Sequence, residues 1–492
     1  MSDVCLFVEG AYPYVTGGVS NWLHSLVSNL SSLTFAIVYI GARPEPGRKA
    51  LYRLPSNVVE FREIFINDPA HIEKLKRSRR RPAAWQAFQA LHESIAVGQA
   101  YEIERFIAQV SRPGFAELTA SDLLYTRESW DLLVRLYQLY APEESFADFF
   151  WTFRFTYLPI FTILETPIPL ARVYHAVSTG FCGLLATLAK IRSGRPLLVT
   201  EHGLYTRERE IEIAQSTWLS QLTPEHRLHN RRLGFFQQWW VNIYRFMERI
   251  TYTMADALIS ITGVNQHYQL KHGAEARKLK LIPNGIDIER LASLSPQRST
   301  ANFRVGFVGR IVPIKDVKTF IHAIKLAHET IPNLEVFLVG PTEEDAHYFQ
   351  ECCQLAELLG LTSLLRFTGS TDVRPYYSKL DVVVLTSLSE GQPLVILEAS
   401  CAQLPVVATD VGACRELLMG TTPEDQELGE SGIITPVASP YETARAIIRL
   451  WREKDVRLRM GRVGQQRVKQ LYSQEKLYRE YSALYRDAIL QK

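Results

Sequence analysis

Short, wholly apolar runs alternate with helical periods at both ends of the chain. Val4-Cys5-Leu6-Phe7-Val8 leads through a glycine-containing loop into a helix predicted from about Ser20 to Asn29, and Phe35-Ala36-Ile37-Val38-Tyr39-Ile40 stops at Gly41. Leu197-Leu198-Val199-Thr200, Ala257-Leu258-Ile259-Ser260 and Leu279 to Ile282 repeat the pattern. Strands that are apolar throughout, with helices between them, predict a parallel sheet covered on both faces. From roughly Asp68 to Ile168 the pattern turns helical and aromatic-rich, with Trp85, Phe88, Trp130, Phe149 and Trp151, and predicts a helical insertion. A second insertion spans Glu208 to Arg249, where Trp239, Trp240, Ile243, Tyr244 and Met247 lie near helical spacing and suit a core face more often than a contact surface.

The strand–helix alternation restarts at Phe303-Arg304-Val305-Gly306-Phe307-Val308-Gly309. It continues through Val336 to Gly340, Leu364 to Phe367, Val382 to Leu385 and Val406 to Ala408. These five strand candidates are enough for a second doubly wound domain. The polar stretch Leu291–Thr300 reads as the linker. The expected division is residues 1–290, with insertions at about 68–168 and 208–249 and completed by a C-terminal helix at 474–492, followed by residues 300–473. The expected fold class is α/β, with two Rossmann-like doubly wound domains facing across a cleft at the carboxyl ends of their strands, where ligands bind in this architecture.

Composition changes this picture little. Hydrophobic residues make up 47% of 492 and charged residues 22%, as in an ordinary soluble globular protein. The formal charge of +3, from 55 Lys+Arg against 52 Asp+Glu, is too balanced for a nucleic-acid partner. Six cysteines show neither CxxC pairs nor metal-ligand spacing, which argues against a disulfide framework and a metal centre. Vicinal Cys352-Cys353 reads as small buried residues. The N-terminus has no basic region ahead of its apolar run, and no window approaches eighteen uninterrupted apolar residues. The expectation is a reduced, cytoplasmic protein.

Several motifs point to a phosphate-bearing ligand. Gly309 lets the chain turn closely, and Arg310 and Lys315 follow it; two cations there can neutralise a diphosphate leaving group, although such residues at strand ends are commonly just solvated. Ser389-Glu390-Gly391-Gln392-Pro393-Leu394-Val395-Ile396-Leu397-Glu398 follows a buried strand and opens a helix. The amides of Leu394 and Val395 would then form an anion site. Glu390 and Glu398, about two turns apart, can address opposite ends of an extended ligand, with Glu398 suited to a ribose diol. Thr368-Gly369 and Gly340 end neighbouring strands, where backbone groups can read a base edge. In the first half, Gly17-Gly18 forms a tight loop before a helix, and a turn alone would explain it. His202, in Thr200-Glu201-His202-Gly203, follows a buried strand; it is either a ligand-facing group or a satisfied core histidine. His175 ends a strand with weaker support.

Together these motifs resemble the GT4 family of retaining glycosyltransferases over nearly the whole chain outside the insertions. Ile282-Pro283-Asn284-Gly285-Ile286-Asp287 adds to that resemblance. The stretches Glu9–Trp22 and Thr200–Arg209 are more narrowly similar to the bacterial Pel exopolysaccharide glycosyltransferases. The resemblance implies a GT-B fold with an acceptor-side first domain and a nucleotide-sugar donor domain second. Arg310 and Lys315 would hold the donor diphosphate, Glu398 the ribose and Glu390 the transferred sugar. His202 would lie near the sugar ring, and Gly17-Gly18 would approach the phosphates. It further implies a UDP-sugar donor, no cofactor and no metal, a polysaccharide acceptor and an inner-membrane synthase complex as partner. Glycogen synthases carry K-x-G-G where this chain has Val15-Thr16 before Gly17-Gly18, so an ADP-glucose-dependent storage synthase is disfavoured. A nucleotide-sugar-binding assembly or regulatory subunit of the same fold is the alternative, and a phosphorylase or trehalose-type synthase would differ in its acceptor. The basic cluster Lys74, Lys76, Arg77, Arg79, Arg80 and Arg81 reads as a solvated helix face or as a docking patch for an anionic membrane surface.

Overall fold

The computed structural model describes residues 1–68, 82–97, 118–215, 233–292, 297–299 and 301–490. The basic cluster at Lys74–Arg81, inner parts of both insertions and part of the expected linker lie outside the described residues. The chain divides into two compact units, one of residues 1–260, 265–280 and 481–492, the other of 261–264 and 281–480.

The first unit is built on a seven-stranded sheet of order β3-β2-β1-β4-β5-β6-β7. Its strands are β1 (Ser2–Glu9), β2 (Phe35–Gly41), β3 (Val58–Phe65), β4 (Ala171–Ala176), β5 (Leu197–Glu201), β6 (Ala257–Ser260) and β7 (Leu279–Leu281). β1 runs parallel to both neighbours, with Leu6 opposite Ile37 on one side and His175 on the other. The order reverses between β1 and β4, so their carboxyl ends frame the ligand-binding crevice expected of an open parallel sheet. β3 escapes hydrophobic patterning because it is the sheet edge. It carries Glu60, Arg62 and Glu63, and Glu63 pairs with Arg48 at 2.9 Å.

His175 is not a ligand-facing group. It is fully buried in β4; Nδ1 is hydrogen-bonded with the Tyr485 hydroxyl at 2.7 Å and Nε2 with Thr200 Oγ1 at 2.8 Å. Burial, and then the proximity of His202, hold its pKa down to about 3, so the ring is neutral. The insertions form an aromatic core. In the helix Phe146–Glu165, Phe149, Phe153, Tyr157 and Phe161 recur every fourth residue and are buried. Phe88 meets three of those rings. Trp239, Ile243 and Met247 of the helix Phe235–Met254 are buried in the same cluster, as a core face requires. Each large side chain so buried stabilises the unit by about 1.5–3 kcal/mol.

The second unit holds a six-stranded parallel sheet of order β10-β9-β8-β11-β12-β13. β8 (Phe303–Val308), β9 (Leu334–Val339), β10 (Leu365–Phe367), β11 (Val382–Leu385) and β12 (Val406–Thr409) match the five apolar runs, and β13 (Gly432–Thr435) adds an unpredicted edge. The segment ahead of the linker belongs to this unit rather than to the first. The Ile286 N–H donates to the Tyr472 carbonyl at 2.9 Å, and the Gln474 N–H donates to the Ile286 carbonyl at 3.1 Å. The C-terminal helix begins in the second unit, whereas Tyr481 and Tyr485 are buried in the first.

Among the described residues Arg467 is the largest fully buried side chain, and its guanidinium is completely engaged. It donates to Asp425 Oδ1 at 2.6 Å, to Ser431 Oγ and to the carbonyls of Leu418, Asp425 and Gly429. Arg467→Met would leave Asp425 buried without its cation, so the variant is expected to lose about 3–5 kcal/mol in urea denaturation. A loss below about 1 kcal/mol would show that the ion pair contributes nothing net to stability.

Candidate active site

The second unit gathers most of the expected donor-site residues at its strand ends. Gly309 follows β8, Gly340 follows β9, and Thr368-Gly369 follows β10. The turns are packed on one another, since a Cβ on Gly340 would stand 2.1 Å from the Gly309 carbonyl oxygen. Gly340 also has φ +150, and its N–H donates to the Gly369 carbonyl at 3.2 Å. The Thr368 N–H donates to Leu338, tying β10 to β9. These four residues form a backbone-lined floor.

Lys315 ends a short 3₁₀ turn, Pro313–Lys315, whose carbonyl accepts the Thr386 hydroxyl at 3.1 Å. Its Nζ donates to Glu390 Oε1 at 2.5 Å, and the Ser387 hydroxyl reaches the same oxygen at 2.6 Å. Lys315 and Glu390 are only 17% and 10% exposed, so their pairing is stronger than a surface ion pair. Arg310 is not gathered with them: it is 51% exposed and bonds Glu344.

The helix Leu394–Cys401 starts after Pro393 with no side-chain cap, which leaves its N-terminal amides available to an anion. Gln392 accepts the Asn284 N–H at 2.8 Å and holds the preceding loop. Glu398 accepts the Tyr377 hydroxyl at 2.8 Å. Burial raises the Glu398 pKa, opposed by the Tyr377 hydrogen bond and the Arg290 charge.

In the first unit, Gly17 and Gly18 begin the helix Gly18–Asn29 and are exposed. A Cβ on either would meet nothing within 4 Å, so the fold alone does not require glycine there. His202 is half-buried just beyond β5, its ring edge-on to Trp22 of that helix with centroids 4.4 Å apart. Trp22 thus brings His202 and the glycine loop together, a role hydrophobic patterning could not reveal.

Glu9 was another residue sequence reasoning missed. It ends β1 half-buried, accepting the Phe181 N–H at 2.8 Å and the Tyr205 hydroxyl at 2.7 Å. A Cβ on Gly180 would stand 2.4 Å from the Tyr205 ring and 2.7 Å from Glu9 Oε2. Its only sequence signal is a carboxylate directly before Gly10 at a strand end. Glu201, read together with His202, points the other way. It is buried and accepts Tyr252 at 2.7 Å, Gln269 at 2.8 Å and Thr179 at 3.2 Å. Burial and then the Glu248 charge push its pKa up to about 7. Among the described residues no group of three or more His, Cys, Asp or Glu side chains is arranged to hold a metal, and no helix is long and apolar enough to cross a membrane.

Residues 2–277 match a family described as "Domain of unknown function (DUF3492)", more than half of the chain. The chain belongs to the DUF3492 family. In this DUF3492 protein, residues 302–453 of the second unit match the family described as "Glycosyl transferases group 1". A D-inositol 3-phosphate glycosyltransferase of Geodermatophilus obscurus is 32% identical over 39% of this chain and 45% of its own length. Another from Streptomyces bingchenggensis is 27% identical over 42% and 48%. The chain thus spans about half the length of these curated relatives. A sucrose-phosphate synthase from Thermosynechococcus elongatus shares the fold at TM-score 0.59 and 16% identity, over 99% of this chain and all of the other. HepE of Anabaena, solved in complex with UDP, does so at TM-score 0.57 and 15% identity with the same coverage. The DUF3492 protein therefore has the two-Rossmann-unit GT-B architecture.

Because Glu201 has a folded pKa of about 7 against an ordinary 4.5, folding takes up a proton between those values. Its contribution to stability is full below about pH 4.5 and is lost as pH rises through 7. Glu201→Gln cannot titrate, so its stability relative to the wild type should rise by up to about 3 kcal/mol from pH 4.5 to 8. A stability difference that is flat with pH would place the titration on another group.

Proposed function

We propose that this protein is a retaining, metal-independent glycosyltransferase. It moves a hexose or N-acetylhexosamine from a UDP-sugar to a growing exopolysaccharide, as the Pel glycosyltransferase PelF does. The observation that carries the reading is the donor-type cluster in a group 1 domain: Glu390 accepting from both Lys315 and Ser387, close in sequence to an uncapped helix N-terminus and to the Glu398–Tyr377 pair. HepE, of similar fold, is known in complexes with UDP and with UDP-glucose, which supports the choice of nucleotide.

In this reading the donor diphosphate takes over Lys315 from Glu390 and lies against the Leu394 and Val395 amides. Arg310 exchanges Glu344 for a phosphate oxygen. Freed from Lys315, Glu390 accepts from the sugar hydroxyls, and Glu398 accepts from the ribose diol. The strand-end backbone at Gly309, Thr368 and Gly369 lies along the nucleotide. As the anomeric C–O bond breaks, the electron pair leaves with the diphosphate, whose growing charge Lys315 and the amides stabilise. The same diphosphate oxygen removes the acceptor hydroxyl proton on the front face, so the anomeric configuration is kept without a protein nucleophile. Gly17 and Gly18 serve the donor phosphates and His202 the sugar ring. The enzyme works at the cytoplasmic side of the inner membrane with a synthase complex.

Calorimetric titration without metal should show UDP binding in preference to GDP and ADP, weakened in Glu398→Ala. Lys315→Ala and Arg310→Ala should each lose about 2–4 kcal/mol of transition-state stabilisation in turnover assays. Activity within a few-fold of wild type would remove either cation from the mechanism, and an inverted product anomer would overturn the front-face route. No nucleotide binding at all would favour a non-catalytic assembly subunit.

A further inference from the structure

The first unit contains a cavity that the proposed transfer does not use. It lies among the helices Pro82–Val97, Arg127–Tyr140, Phe146–Glu165 and Phe235–Met254, and its volume is about 220 Å³. Cavities of roughly 150 Å³ with apolar walls already hold benzene. Its walls are His92, Ile95, Tyr140, Tyr157, Phe235 and Trp239, with the amides of Gln238 and Asn242 completing the lining.

His92 is the polar feature of this chamber. It is 2% exposed, and its ring sits 4.9 Å from Trp239, 5.6 Å from Tyr157 and 6.0 Å from Tyr140 between centroids. Nδ1 is hydrogen-bonded with the Tyr157 hydroxyl, while Nε2 is buried without a hydrogen-bond partner. An unmade hydrogen bond on a buried ring is costly, so the group calls for a partner. Burial keeps the imidazole neutral.

The remaining lining defines what that partner can be. Among the described residues no charged side chain lines the cavity, so it offers phosphates, nucleotides and carboxylates no counter-charge. The indole Nε1 of Trp239 already donates to Thr156 at 3.1 Å, and Gln238 Nε2 donates to Asn242 Oδ1 at 2.8 Å. A hexose would therefore bury several hydroxyls against aromatic faces with few acceptors left for them. We infer that this cavity binds a neutral, mainly apolar molecule carrying a single hydrogen-bonding group that meets His92 Nε2. A small planar aromatic and the alcohol end of an isoprenoid chain both have this chemistry. The inference is independent of the sugar-transfer reading.

Calorimetry on the full chain with phenol, toluene, benzoate, indole and farnesol tests it. Phenol should bind saturably and about tenfold more tightly than toluene, the difference one net hydrogen bond supplies. Benzoate should not bind. His92→Phe should keep toluene binding and lose the phenol preference, and Ile95→Phe, which fills the chamber, should weaken both. Tighter binding of farnesol than of indole would assign the isoprenoid source, and the reverse order the free aromatic. Absence of saturable binding by every neutral probe to the wild type would mean that the cavity holds only water and would overturn the inference. So would benzoate binding as tightly as phenol, or an unchanged phenol preference in His92→Phe.

Discussion

A parallel sheet buried on both faces has room for polar chemistry only where its strands stop. In both units the central strands are buried along nearly their whole length, because helices cover each side. Glu9, His202, Gly309, Thr368 and Glu390 all lie at or just beyond a strand's carboxyl end. That single constraint explains why the candidate residues, far apart in sequence, collect along one edge of each sheet.

At those edges, charge is held in pairs. Lys315 meets Glu390 and Arg310 meets Glu344, while Glu9 and Glu398 are held by hydroxyl groups and, for Glu9, by helix amides. A half-buried cation and carboxylate at 2.5 Å would be costly to separate into water, but a ligand bringing its own anion can exchange for the carboxylate at lower cost. In the proposed donor site, the Lys315–Glu390 pair is therefore stable when empty and open to exchange with a diphosphate. Glu201, one residue before His202, shows the opposite solution. It turns inward, and three donors only partly offset the burial that raises its pKa.

The aromatic insertions follow a different rule. Their core is made of rings at helical spacing that pack edge to face. The chamber beside His92 arises in this packing.

The alternation of apolar runs with helical periods was enough to expect two parallel sheets, the helical insertions and the strand-end position of the glycine and acidic motifs. Burial of a strand on both faces writes itself into every one of its residues, so it is readable locally. Two of the four edges were not readable in this way: β3 carries charges and β13 holds only two large apolar residues, so neither shows a buried signature. Side-chain direction and partner choice were equally hidden. Neighbouring Glu201 and His202 point into core and toward Trp22, Arg310 finds Glu344 thirty-four residues on, and Lys315 finds Glu390 seventy-five residues on. The placement of Pro283–Asp287 in the second unit likewise depends on hydrogen bonds to residues 392, 472 and 474. Hydrophobic periodicity determined what is buried, since each residue pays that free-energy cost on its own. Only the folded chain decided which polar groups meet, because a hydrogen bond or ion pair needs two distant segments brought within 3 Å or so of each other.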